Sequence, residues 1–221
     1  MNRIDIVCAE AFDAAAVLSI YAPYIRTTAV TFETEVPAVS EFAERIGAIS
    51  GEFPYLLLFV DSELAGYAYA HRQAERAAFA WNAELSVYLR MDWRGKGMGR
   101  VLYALLIDLL KMQGYVNMYG VITGSNAGSI AMHEKMGFEV VGRHEKTGFK
   151  HGQWHDTVWM HKRVGADGAP GEIKRFDALD AAAVDARIAQ ACAQIEEKIE
   201  KAPPQDKPEG ILKLLDQIKL K

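Results

Sequence analysis

The sequence predicts an α/β fold, a central mixed twisted sheet with helices on both faces, followed by a C-terminal helical extension. Three observations carry this. Apolar runs of strand length alternate with Ala- and Leu-rich helical stretches. A glycine-rich turn joins one such strand directly to a long helix. The composition also changes after Val164, where Gly165-Ala166-Asp167-Gly168-Ala169-Pro170-Gly171 reads as a linker. The chain has 221 residues, 50% of them hydrophobic, enough for one substantial core and an appendage. The expected units are therefore 1–164 as the body, 165–175 as a linker and 176–221 as the extension.

The elements follow in order. Residues 4–7 are a first strand and the Ala-rich stretch 11–25 a helix. Pro37 precedes a second helix over 40–49. Residues 55–60 (Tyr-Leu-Leu-Leu-Phe-Val) form a buried strand, and Asp61-Ser62-Glu63 turns the chain into a strand over 64–70. Residues 78–89 read as one long strand with a possible bulge. A helix over 99–113 ends at Gly114. Residues 116–123 are a strand, and Ser125 or Asn126 caps a helix that reaches about Met136 and stops at Gly137. Two strands close the body, 139–147 and 154–162. In the extension, 176–201 is helical, with Phe176, Leu179, Val184, Ile188, Ile195 and Ile199 along one stripe. A shorter helix is expected over 210–220.

Composition excludes several classes of function. The net charge is −4 with no basic block, so no nucleic-acid surface is expected. Cys8 and Cys192 are too few and too distant for a disulfide framework. His155 beside Asp156 has no further ligand at useful spacing, so no metal is expected. No secretory or membrane-spanning segment is evident, which makes a cytoplasmic protein the expectation.

The stretch Trp93-Arg94-Gly95-Lys96-Gly97-Met98-Gly99-Arg100 reads as strand, turn, helix. Glycines let a backbone approach a ligand, and a helix N-terminus offers free N–H groups to phosphate. A P-loop fails because Gly95-Lys96 is followed by Gly97 rather than Ser or Thr, and a dinucleotide fingerprint fails at Leu102. Arg94, Gly97 and Gly99 do satisfy Arg-x-x-Gly-x-Gly. Short glycine motifs are common, so alone the turn is equally an ordinary strand-to-helix connection.

That pattern resembles the pyrophosphate-binding turn of the GNAT superfamily of acyl-CoA N-acyltransferases. Residues 125–138, from Ser125-Asn126 to Gly137-Phe138, look like its second cofactor motif, and the predicted element order matches its fold. Closer still, the chain is similar to the phosphinothricin N-acetyltransferase family. The stretches concerned are Ile20-Tyr21 through Thr31-Phe32-Glu33, Gly66 to Ala70, Trp81 to Tyr88, the His133 motif, and Gly148-Phe149-Lys150-His151-Gly152-Gln153-Trp154-His155-Asp156.

The resemblance implies acetyl-CoA as co-substrate. Arg94, Gly95, Lys96, Gly97, Met98 and Gly99 would hold its pyrophosphate. Val87, Tyr88 and Leu89 would pair with its pantetheine arm beside Asn126 and Ser129. Backbone N–H groups freed by splaying of the sheet beyond Leu89 would stabilise the thioester oxygen. Glu84 would be the general base. By residue type alone, a solvated strand carboxylate or a partner for Arg76 is the commoner reading of Glu84. His133 stands where many GNAT enzymes carry a Tyr that protonates the leaving thiolate, and is equally readable as a helix-face histidine bonded to backbone. Phe32, Arg72 and Arg76 are the candidates for the acceptor site, since Arg forks a carboxylate. Relatives usually carry an aromatic followed by Arg or Lys before Trp81, whereas this chain has Gln73 and Ala74. The acceptor implied is the α-amine of a small amino-acid-like molecule such as phosphinothricin, methionine sulfoximine or methionine sulfone, acted on by a homodimer. Another small amine, a protein N-terminus and a non-catalytic CoA-binding module are the competing readings. The extension shows no reactive cluster, so a chain ending at Val164 is expected to keep acetyl transfer.

Overall fold

The structure, a computed structural model, describes residues 2–201. The elements are β1 (Ile4–Cys8), α1 (Ala14–Thr27), α2 (Val39–Ile49), β2 (Tyr55–Val60), β3 (Glu63–Arg72), β4 (Asn82–Leu89), α3 (Met98–Gln113), β5 (Asn117–Thr123), α4 (Ala127–Lys135), β6 (Glu139–Lys150), β7 (Gln153–Arg163) and α5 (Ala181–Lys201). They build one seven-stranded sheet in the order β1-β2-β3-β4-β5-β7-β6. Every neighbouring pair is antiparallel except β4 and β5. Asp61 and Ser62 both have positive φ, 51° and 67°, so β2 and β3 are joined by a tight two-residue hairpin as the sequence suggests. The turn at His151-Gly152 joins β6 to β7 in the same way, with φ of 51° and 77°.

Two apolar layers cover the sheet. On one face Val17, Ile20, Tyr21, Ile25, Phe42 and Ile46 of α1 and α2 pack on Tyr55, Leu57 and Tyr67. On the other, α3 lies against Leu56, Leu58, Ala68, Ala83 and Leu85. Buried residues occupy most of the circumference of α3: Val101, Leu102, Tyr103, Leu105, Leu106, Ile107, Leu109 and Leu110. A helix apolar around most of its girth must be covered on both sides. α5 supplies the second cover, with Val184, Ala191 and Ile195 in the same core. All six residues of the predicted stripe in the extension pack there.

Three expectations change. Residues 78–81 are not strand; Ala77–Phe79 form a 3-10 turn and β4 begins at Asn82. The aromatics Phe79 and Trp81 suggest a strand, but local bonds win. The N–H groups of Phe79 and Ala80 donate to the carbonyls of Arg76 and Ala77 at 2.9 and 3.1 Å and close the turn. The first and fifth helices are preceded by 3-10 turns, Ala11–Asp13 and Phe176–Ala178, and the helices proper start at Ala14 and Ala181. The segment 165–175 is strapped to the body rather than loose. Gly165 N–H donates to Val116, Trp81 Nε1 to the Gly171 carbonyl at 2.7 Å, and Lys174 N–H to the Gln113 carbonyl at 2.8 Å. Gln113 Nε2 in turn donates to the carbonyls of Glu52 and Lys174, each at 2.8 Å. The helix expected over 210–220 lies outside the described residues. Among the described residues no helix is long and apolar enough to cross a membrane.

Candidate active site

β4 and β5 pair at only three positions, Asn82 with Asn117, Ala83 with Met118 and Glu84 with Tyr119. Parallel strands in register further along would zip up completely; these part company after Glu84. The sheet therefore splays there, and not beyond Leu89 as the sequence reading has it. Arg90 N–H reaches back to the Ala65 carbonyl on β3 at 2.8 Å. Main-chain groups alternate sides along a strand, so those of Leu89, Val87 and Leu85 point the other way, into the gap. Tyr24 Oη donates to the Leu89 carbonyl from that side. The Val87 N–H thus faces an open cleft with no strand to pair with.

The gap leads into a cleft of about 680 Å³ lined by Val87, Leu89, Arg94, Gly95, Gly97, Gly99, Arg100, Asn126, Gly128 and Ser129 among others. That is the size of an ordinary ligand pocket. Gly95 and Gly97 both have φ of 78°, a conformation any other residue would adopt only under strain. Gly97 caps α3, whose first turn leaves its N–H groups unpartnered inside the helix. Of the predicted pyrophosphate residues, Arg94, Gly95, Gly97 and Gly99 line the cleft, whereas Met98 is fully buried in the core and does not. Lys96 has its ammonium 4.0 Å from the Trp93 ring centre, and the Arg94 guanidinium lies 5.9 Å over Tyr24. Asn126 caps α4 by accepting the Ser129 N–H at 3.2 Å. It also lines the cleft, so cap and ligand contact are compatible.

A smaller cavity of about 70 Å³ continues between the splayed strands, lined by Val30, Val87, Tyr88, Tyr103, Gly120, Val121, Asn126, Ser129 and His133 among others. His133 is buried at 3% exposure. Its Nδ1 lies 2.8 Å from the Ser129 carbonyl, which can only accept, so Nδ1 carries the proton. In the neutral ring Nε2 is then an acceptor, and it lies 2.9 Å from Tyr103 Oη, which donates to it. Burial pushes the imidazole pKa down, partly offset by the Ser129 carbonyl, so the ring is neutral at pH 7. His133 is placed as a hydrogen-bond acceptor rather than as an imidazolium acid. Gly120 makes this packing possible: a Cβ there would come within 2.8 Å of His133 Nε2 and 3.4 Å of Tyr103 Oη. Gly120→Ala is expected to lower stability by about 1–3 kcal/mol in urea unfolding, because the ring must shift in a full core.

Glu84 sits where the splay begins, on the same face as Ser86 and Tyr88, the α1/α2 side. Its Oε1 is 3.8 Å from His71 Nε2 on β3. Burial pushes its carboxyl pKa up, with His71 pulling the other way. A carboxylate of raised basicity at the closed end of the strand gap is suited to accept a proton, and because Glu84 lines neither cavity directly, an intervening water would carry it.

The proposed acceptor residues divide. Arg72 pairs across the sheet with Ala83, on the α3 face, and is ion-paired to Glu52. Neighbours in a strand point to opposite faces, so His71 reaches Glu84 and Arg72 cannot. The structure does not bring Arg72 to this site. Arg76 is exposed beside the 3-10 turn and lines none of the cavities described above. Phe32 packs over Gly148 and lies 6.3 Å from the His155 ring, against the β6–β7 hairpin. Its loop is pinned across the gap. Thr123 Oγ1 donates to Ala29, Lys150 Nζ to the Thr31 carbonyl at 2.7 Å, and His151 Nε2 to the Thr28 carbonyl at 3.2 Å. Val30 of that loop lines both cavities. Sequence reasoning missed His71, Tyr103 and Val30. Only His71 had a signal, the alternation Tyr67, Tyr69, His71 along β3.

The sequence model of a family described as acetyltransferase (GNAT) domain matches residues 6–159. The chain belongs to the GNAT acetyltransferase family. Among curated relatives, phosphinothricin N-acetyltransferase of Streptomyces viridochromogenes is 34% identical over 171 residues, covering 77% of this chain and 93% of that protein. L-methionine sulfoximine/L-methionine sulfone acetyltransferase of Pseudomonas aeruginosa is 34% identical over 150 residues, covering 67% and 87%. Among solved structures, a GNAT superfamily phosphinothricin acetyltransferase from Sinorhizobium meliloti in complex with AcCoA has a TM-score of 0.74 at 34% identity, covering 80% of this chain and 98% of that one. As a GNAT acetyltransferase, this chain presents its splayed strands and glycine turn along a single cleft, while α5 lies outside the matched residues.

Proposed function

We propose that this GNAT enzyme transfers the acetyl group of acetyl-CoA to the α-amine of a small amino-acid-like acceptor, with phosphinothricin and methionine sulfoximine or sulfone as first candidates. The observation that carries the reading is Glu84 at the start of the strand splay, its carboxyl basicity raised by burial and the unpaired Val87 N–H just beyond it. The names of the relatives at 34% identity supply the acceptor class.

Acetyl-CoA supplies the activated acyl group. The turn with Arg94, Gly95, Lys96, Gly97 and Gly99 holds its pyrophosphate with free N–H groups and cations. Val87 and Leu89 pair with its pantetheine arm through main-chain groups that face the gap, assisted by Asn126 and Ser129. The main chain of Tyr88 faces β3 instead, so Tyr88 takes no part in that pairing. Glu84 takes a proton from the acceptor's ammonium through an intervening water. The Val87 N–H faces the charge that builds on the thioester oxygen. His133 holds the Tyr103 hydroxyl in place at the floor of the gap. Arg76 remains the candidate partner for the acceptor carboxylate, and Phe32 shapes the wall of the pocket. The exposed Phe149 and Trp154 of the β6–β7 hairpin are the surface through which a homodimer would form. We place the enzyme in the cytoplasm.

An acceptor screen that follows free thiol tests this reading. Phosphinothricin, methionine sulfoximine or methionine sulfone should give the highest kcat/KM. A polyamine or a peptide N-terminus that outperforms all three would overturn the acceptor class and leave the family untouched.

A further inference from the structure

The helix α5 lies beyond residues 6–159, so the family match assigns it nothing. The extension starts at the C-terminal end of α3, where Lys174 bonds Gln113 and the Glu172 carbonyl stands 2.9 Å from where a Cβ on Gly114 would be. Its helix α5 reaches the other end of α3, at the glycine turn. There the place that a Cβ on Gly97 would take is filled by Lys198: its Cδ stands 3.1 Å from that point, Cε 3.6 Å and Nζ 3.7 Å. The ammonium of Lys198 is therefore delivered to the turn whose Gly97 lines the large cleft. Ile195, three residues earlier and fully buried, fixes the helix there. Among the described residues Lys198 enters no ion pair, whereas its neighbour Glu197 is engaged by Lys201. The turn's own cations are partly occupied, Lys96 by the Trp93 ring and Arg94 by the Tyr24 ring.

We propose that Lys198 is a cofactor-binding residue, supplying a cation from the C-terminal helix to the phosphates at the nucleotide end of acetyl-CoA. The inference rests on reading the Gly97 turn as the acetyl-CoA site. The phosphates carry several negative charges, and a nearby ammonium of partial exposure attracts them without needing full desolvation. The coupling is reciprocal: a cofactor held by Lys198 also holds α5 against the body.

Lys198→Met keeps the apolar stem over Gly97 and removes the charge. Calorimetric titration with CoA should show binding weakened about five- to twentyfold. Lys198→Arg should bind within about twofold of the original protein, and raised salt should narrow the difference between Lys198→Met and the original. CoA should slow amide exchange in α5 of the original chain and do so less in Lys198→Met. Repeating the titration with 3′-dephospho-CoA separates two placements: a retained loss assigns Lys198 to the diphosphate, a vanished one to the 3′-phosphate. A Lys198→Met protein that keeps its melting temperature and binds CoA like the original would overturn the proposal. Failure of the original protein to bind CoA at all would instead refute the acetyl-CoA site itself.

Discussion

Glu84→Gln is expected to reduce turnover by about 10²- to 10⁴-fold at neutral pH while leaving acetyl-CoA binding nearly unchanged. Glutamine keeps the size and the hydrogen-bonding reach of the side chain at the start of the splay and removes its basicity. Burial raises the Glu84 carboxyl pKa, so in the original enzyme activity should fall as pH drops through that raised pKa. The acceptor ammonium loses its proton in the same direction, so both effects make the rate rise with pH. In Glu84→Gln only the second remains, and high pH should partly rescue it because more amine arrives neutral. Unfolding cannot mimic this result. A carboxylate whose folded pKa is raised costs the fold free energy above that pKa and nothing below its unfolded value. Glu84→Gln should therefore melt no lower than the original at neutral pH. Full activity of the variant there would remove Glu84 from the mechanism and leave the Tyr103–His133 pair to explain proton transfer.

A chain ending at Val164 is expected to lose its cooperative melting transition, contrary to what its lack of reactive residues suggests. The cut removes Val184, Ala191 and Ile195 from the core and takes away Phe176, Leu179, Ile188 and Ile199 packed against it. Burying each large aliphatic or aromatic side chain contributes about 1.5–3 kcal/mol. Several together rival the ~5–15 kcal/mol by which a domain is stable. The cut also strips Gln113, buried at the C-terminal end of α3, of its Lys174 partner. Circular dichroism against temperature reads the outcome. A sharp transition within a few degrees of the full chain's would show that α5 is an appendage after all.

How far each feature was legible follows from the range of the signal. The run Leu56 to Val60, the apolar spacing from Val101 to Leu110 in α3 and the turn residues Asp61, Gly114 and Gly137 act locally, and the elements they specify stand within a few residues of expectation. The stripe in the extension was legible too, but its destination was not: that depended on α3 being apolar around most of its girth, a fact about two helices. The direction in which Arg72 points was not legible for a similar reason. Arg72 and His71 are adjacent in sequence, and only the β3–β4 register decides which of them faces Glu84. The connection 73–81, with its unforeseen 3-10 turn, leaves that register open to a sequence reader. The start of the splay is likewise a property of two strands, β4 and β5, brought together across α3.

The most direct test of the central claim identifies the product. Incubation of the full chain with acetyl-CoA and methionine sulfone or phosphinothricin, followed by NMR and mass spectrometry, should yield the α-N-acetyl derivative in step with released CoA thiol. Thiol released without an acetylated amine, or a folded, CoA-binding protein that acetylates none of the glutamate-like acceptors, would contradict it.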